Sequence, residues 1–331
     1  MTSTDFNSLC TSSGHAEKRT VYDQTGTSIQ LASPISYGAD GAIHETQLQS
    51  GDILIKVYND KKLKKNQKEG GQLSRRIESM LDMPIDDPCL AWPLFAVYET
   101  PDARDTIGYG MRKIKGEPFC NFLGKLNLAQ TFPAWTRKHL TLTALNFVRI
   151  VNKLAKKGIL VNDFNPLNFF SDENCQVSLI DCDSFQIPKK GGGAITSNAF
   201  FPILSAPELL NGSFGIPSPR NIHMVEFSAA IIVFELLMDG LNPFTCRDPA
   251  GRIDTTDLLN NIKKGYCAIS KAGYQFPLTC DNYFEQLWNK LPVRMQKCFQ
   301  DTFCTGHSAP DKRTNLDTFE ACLDEMLLSL K

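Results

Sequence analysis

Close to residue 116 the prevailing spacing of apolar residues changes from two to between three and four. Ahead of that point, short runs read as strands: Ser28–Ile35, Ala42–Gln47, Asp52–Tyr58, Ala91–Tyr98 and Thr106–Lys113. A short helix is expected over Gln72–Leu81, after a stretch holding Lys61, Lys62, Lys64, Lys65 and Lys68 that fits an acidic partner or a solvated loop. Beyond it, Leu140, Leu142, Leu145, Val148, Val151 and Leu154 recur mostly every third residue, in a helix that Lys157-Gly158 ends. A second long helix is expected from about Met224 to Asp239-Gly240, and helical segments continue to the end. This order predicts an α+β, two-lobed chain with the boundary near Gly116–Leu126. The expected parts are a flexible arm over 1–27, rich in Ser and Thr, a small strand-rich lobe over 28–116 and a larger helical lobe over 117–331.

Charge and cysteine content narrow the function. The 35 Lys and Arg nearly balance the 36 Asp and Glu, for a net charge of −1, which argues against nucleic-acid or membrane partners recruited by bulk electrostatics. Met1–Gly14 has no apolar core and reads as no secretory leader. The apolar run Ala229–Met238 is broken by Glu235 and is too short to cross a bilayer. The 11 cysteines include no C-x-x-C pair, so the expectation is a reducing, cytoplasmic location without a cysteine metal site.

Three features carry chemistry. Gly38 and Gly41 lie between the first two strand candidates, in Ile35-Ser-Tyr-Gly38-Ala-Asp-Gly41-Ala-Ile43. Glycines there let backbone N–H groups approach a phosphate, and they also suit a plain hairpin. Lys56 ends the apolar run Ile53-Leu-Ile55, where its ammonium needs either a partner such as a nucleotide phosphate or an edge facing water. The segment Val161-Asn-Asp163-Phe-Asn165-Pro166-Leu-Asn168 precedes Phe169-Phe170, a turn at Asp172-Glu-Asn174, and Val177-Ser-Leu-Ile180-Asp181-Cys-Asp183. Two carboxylates and an amide on loops flanking a hairpin suit magnesium, with Asp163 as proton acceptor and Asn168 and Asp181 as ligands; Asp and Asn near Pro are also ordinary turn residues.

The order Lys56, Asp163, Asn168, Asp181 resembles that of the protein-kinase superfamily, with its Gly-rich loop, strand lysine, catalytic loop and metal-binding aspartate. The resemblance runs from about Leu31 to Leu327 and includes Ala206-Pro207-Glu208, the end of an activation segment, and Arg313, the late arginine that pairs with that glutamate. The wording Asn-Asp-Phe-Asn-Pro-Leu-Asn and Leu-Ile-Asp-Cys-Asp-Ser-Phe-Gln looks most like bacterial kinases associated with TerY-type von Willebrand A proteins and metal-dependent phosphatases. It implies a bilobal kinase-like fold, ATP and Mg2+ as cofactors, a protein substrate, and those two kinds of partner. By similarity Ile35 and Ile43 would lie above the adenine and Phe170 below it. Gly38 and Gly41 would cover the phosphates, Lys56 would hold them, and the strand of Met111 and Lys113 would offer backbone groups to the adenine edge. Asp163 would be the catalytic base, and Asn168 and Asp181 would bind magnesium.

The departures are specific. Val161-Asn162 replaces His-Arg, so the arginine that docks a phosphorylated activation segment is absent, and Asn165 stands where a lysine is common. Cys182-Asp183 replaces Phe-Gly, and Leu54 replaces a small residue near the adenine. Glu226 resembles a longer substitute for an aspartate that braces the catalytic loop. The helix glutamate that tethers the strand lysine falls on Ser74, leaving Glu69, Glu78 or neither for Lys56. The expected activity is therefore ATP- and Mg2+-dependent Ser/Thr protein phosphorylation, with a pseudokinase serving as a nucleotide-binding or scaffolding module as the alternative. Ser184–Ser205 would be the activation segment, with Thr196 and Ser197 as candidate phosphosites.

Overall fold

A computed structural model describes residues 19–211 and 219–330. They fall into two compact units, one of residues 19–84 and 93–113, the other of residues 85–92 and 114 onward. The first is rich in strands and the second in helices, the mixed α/β content that the change of period predicts.

In the first unit six strands close a barrel: β1 (Thr20–Asp23), β2 (Ser28–Tyr37), β3 (Gly41–Thr46), β4 (Ile53–Tyr58), β5 (Pro93–Tyr98) and β6 (Gly108–Arg112), in the order β1-β2-β3-β4-β6-β5. Period-two alternation sends Ile53, Ile55 and Val57 of β4 into one core with Val21, Ile29, Leu31, Val97 and Ile107. Leu54, Lys56 and Tyr58 face the other way and are also buried, which is why β4 is an unbroken apolar run around one lysine. Two helices complete the unit, α1 (Asp60–Lys68) and α2 (Gln72–Leu81).

Two expectations change here. β1 lies inside the stretch expected to be a flexible arm; it pairs with β2 and β5 and buries Val21, one apolar side chain in a four-residue strand. Residues 1–18 of that arm lie outside the described residues. The lysine stretch is helical, not a loop. Asn59 caps it by accepting the Lys62 N–H at 2.9 Å, Asp60 opens it and Lys65 and Lys68 close it, in keeping with the helix dipole. Only Asn66 of α1 is buried, so no apolar stripe betrays the helix.

In the second unit β7 (Glu117–Pro118), β8 (Phe169–Ser171) and β9 (Val177–Leu179) form a sheet, and β10 (Ile187–Pro188) pairs with β11 (Ala194–Ile195). Cys89 and Ala91 extend the first sheet by bonding the backbone of Leu179 at 2.8 and 2.9 Å. The helices are α3 (Lys125–Thr131), α4 (Arg137–Ala155), α5 (Pro207–Leu210), α6 (Ile222–Leu237), α7 (Leu258–Lys264), α8 (Tyr283–Asn289), α9 (Val293–Gln300), α10 (Gly306–Ser308) and α11 (Leu316–Ser329). Helix α6 is apolar all round and buried along nearly its whole length, against α4 on one side. No helix among the described residues is long and apolar enough to cross a membrane.

Candidate active site

The catalytic-loop candidate begins where α4 ends. Gly158, at φ +74°, reverses the chain in a conformation that side chains disfavour. Leu160 then exchanges two backbone hydrogen bonds with Gln186, each 2.9 Å. Phe164 and Phe169 turn inward, their ring centroids 6.4 and 5.1 Å from Phe147 of α4, so the polar residues between them are held on an aromatic footing. Asn165 Oδ1 accepts the Leu167 N–H at 3.0 Å and caps the short turn Pro166–Asn168. That turn points the Asn168 side chain back, and its Nδ2 donates to Asp163 Oδ2 at 3.0 Å.

Asp181 enters from the far strand of the β8–β9 hairpin. The Ile180 N–H donates to Asn168 O at 3.0 Å, and Asp181 follows in the left-handed region at φ +56°. Burial pushes the Asp163 carboxyl up to about 6, and the charge of Asp181 pushes the same way; the Asn168 hydrogen bond and the charge of Arg220 oppose them. Asp163 Oδ1 is buried without a hydrogen-bond partner. Two carboxylates, the charge of one raising the proton affinity of the other, with an unused oxygen on Asp163, suit a cation and a hydroxyl donor. Among the described residues no three His, Cys, Asp or Glu side chains gather as a metal cage. Magnesium bound by one or two protein oxygens with phosphate and water needs no such cage, so the donor set Asn168 and Asp181 fits it.

In the first unit the glycine segment is a hairpin between β2 and β3, closed by Gly38 N–H to Gly41 O at 2.8 Å. Gly41 is there for proximity: a Cβ on it would lie 2.1 Å from Val57 O. Asn59 Nδ2 donates to Ala39 O at 2.8 Å, and Lys62 Nζ lies 2.6 Å from Asp40, so the start of α1 holds the loop. Ile35 lies at a register shift between Pro34 and Ser36 and is half exposed. Ile43 is the cross-strand partner of Lys56, Lys56 of Tyr109, and Leu54 of Met111, which puts all five on one face. Lys56 is buried, its Nζ 5.6 and 5.8 Å from the ring centroids of Tyr58 and Tyr109. The Lys113 N–H donates to Asp52 O and its Nζ pairs with Glu45 at 2.7 Å, so that amide is already used. Ser74 Oγ accepts the Thr106 N–H, Glu69 pairs with Lys65, and Glu78 is exposed.

Elsewhere in the second unit, Phe170 is half buried on β8, opposite Pro118. The expected pair of Arg313 and Glu208 is present and bidentate, at 2.7 and 2.9 Å. Glu226 does not brace the loop; it accepts from or pairs with His223 Nδ1 at 2.9 Å, because it sits one turn along the same helix. The bracing comes from Gln186, and a residue missed in the sequence stands beside it. Arg220 is buried, and its charge faces Asp163. Its only sequence signal is a lone basic residue just ahead of a largely apolar helix.

The relatives found for this chain are protein kinases, at a distance. The chain is 24% identical over 329 residues to "Protein kinase YegI" of Escherichia coli O157:H7, covering 95% of this chain and 47% of the relative. Against the protein of the same name from Escherichia coli strain K12 it is 24% identical over 326 residues, 94% of this chain and 46% of the relative. The chain thus spans about half the length of the curated relatives it matches. No family model matches it.

Proposed function

We propose that the chain is an ATP- and Mg2+-dependent Ser/Thr protein kinase domain of bilobal form, acting in the cytoplasm. It would transfer the γ-phosphate of ATP to a protein hydroxyl, its own included. The observation that carries this is Asp163 bonded to Asn168 on one capped turn, with the charge of Asp181 beside it. In this reading Asp163 takes or orients the proton of the attacking hydroxyl, while Asn168 and Asp181 hold magnesium, which screens the phosphates. Lys56 holds the phosphates, Gly38 and Gly41 cover them, and Ile35, Ile43, Met111, Lys113 and Phe170 surround the base. The kinase relatives support a protein substrate; a von Willebrand A-type protein and a metal-dependent phosphatase as partners follow from the subgroup resemblance.

Intact-mass measurement after incubation with Mg-ATP tests the reading. The wild type is expected to gain phosphate and Asp163→Asn to gain none. A wild type that transfers nothing to itself, or to any protein with any partner added, overturns it. The second reading, a nucleotide-binding module without transfer, is favoured by one observation. Ser74, where the resemblance places the lysine's glutamate, is a serine whose Oγ accepts the Thr106 N–H instead. Nucleotide binding that persists without transfer would select it.

A further inference from the structure

Arg220 joins three stretches of the second unit. Its backbone is held by the side-chain amide of Gln186, which accepts its N–H at 2.7 Å and donates to its carbonyl at 3.0 Å. The backbone of Gln186 is in turn paired with Leu160, three residues ahead of Asp163. The Arg220 side chain reaches the other way: Nη2 donates to Ala199 O at 3.1 Å, and the guanidinium lies 5.8 Å from the Phe200 ring centroid. The group is 9% exposed, and its Nε–H is buried without an acceptor. A desolvated guanidinium with an unmet donor is unfavourable by itself, so the contacts it does make must offset that.

We propose that Arg220 is a positioning residue, a clamp that fixes the segment at Ala199 and Phe200 to the strand leading into Asp163, with no phosphate on that segment. What is positioned rests on the kinase reading above; the clamp itself does not. Its partners are a carbonyl and a ring, neither of which modification creates. The neighbouring Ser197 hydroxyl is engaged locally, accepting the Ala199 N–H at 3.1 Å. The segment is thereby placed in the unmodified chain.

Hydrogen exchange by mass spectrometry on the full chain without nucleotide tests the clamp, comparing wild type, Arg220→Gln and Arg220→Lys. In Arg220→Gln, peptides spanning 197–204 and 159–164 are expected to exchange about tenfold faster, while α11 is unchanged. Arg220→Lys keeps the charge but not the planar fork, and is expected to fall between the two. Unchanged exchange in both peptides, or an equal rise in α11, overturns the clamp. Should Arg220→Gln fail to fold, Arg220→Lys and Phe200→Leu decide by the same peptides. In transfer assays Arg220→Gln is expected to lower kcat about tenfold with the KM for ATP within about twofold, and Arg220→Lys to restore part of it. A raised KM with unchanged kcat overturns the positioning role. The expected exchange pattern in a wild type that transfers no phosphate leaves the clamp standing and removes the kinase reading instead.

Discussion

At Glu235 of α6, burial dominates. The carboxyl is pushed up to about 8, opposed by a single hydrogen bond from Asn242 Nδ2, which also donates to Ile203 O. The folded chain therefore binds this proton more tightly than the unfolded chain, whose carboxyl keeps its usual value of 4.5. The stabilisation from the protonated form is complete below that value and is lost as pH rises through about 8. Between the two the slope is about 1.4 kcal/mol per pH unit. Glu235→Gln is expected to flatten it: melting curves from pH 5 to 8 should show the variant gaining steadily on the wild type. A difference in Tm that stays constant with pH would rule this out. The contrast with Asp163 is instructive, since both are buried carboxyls, but only Asp163 has a second carboxylate and an unused oxygen beside it.

At the scale of elements, Arg313 ties α5, α6 and α10 together. Its side chain is fully buried and donates to both oxygens of Glu208, to His223 O and to Gly306 O, with the Phe227 ring centroid 4.9 Å away. Removing one partner of such a group leaves the other stranded, so Arg313→Ala is expected to destabilise the chain by about 3 kcal/mol in denaturant titration. Glu208→Gln, which keeps a planar acceptor on the less buried partner, should lose much less; equal losses would refute the assignment. This pair was legible in the sequence because both residues sit in recognisable words. The long strands and helices were legible too, since each carries an apolar face or, in β4 and α6, an almost unbroken apolar run. What escaped was whatever lacked a period: α1, whose lysines face water around a single buried asparagine, and β1, too short to alternate. The brace escaped for a different reason, because Gln186 meets Leu160 and Arg220 only through the fold, and nothing local distinguishes it from any other glutamine.

For the whole molecule, the proposed ligands make a direct claim about stability. Anything bound to the folded chain alone stabilises it by about 2.7 kcal/mol at a hundredfold excess over its Kd. Mg-ATP is expected to raise Tm by several degrees, ATP with EDTA to raise it less, and Asp181→Asn to reduce the effect of magnesium while leaving that of ATP with EDTA. A melting temperature indifferent to nucleotide would count against both functional readings. The strand-rich first part and helical second part were visible from the change of apolar period, and the ordering of the candidate residues along the chain from their words alone.

The aromatic footing of the Asp163 loop has a consequence for descent. Phe164 and Phe169 set the course of that loop through their contacts with Phe147, while Asp163 and Asn168 add one side-chain hydrogen bond to each other. Exchanging either of those two residues strips the other of its partner but leaves the aromatic mount in place. On the kinase reading, catalytic and silent versions of such a loop are therefore a few atoms apart, and a lineage can cross from one to the other in either direction while its architecture stays where it was.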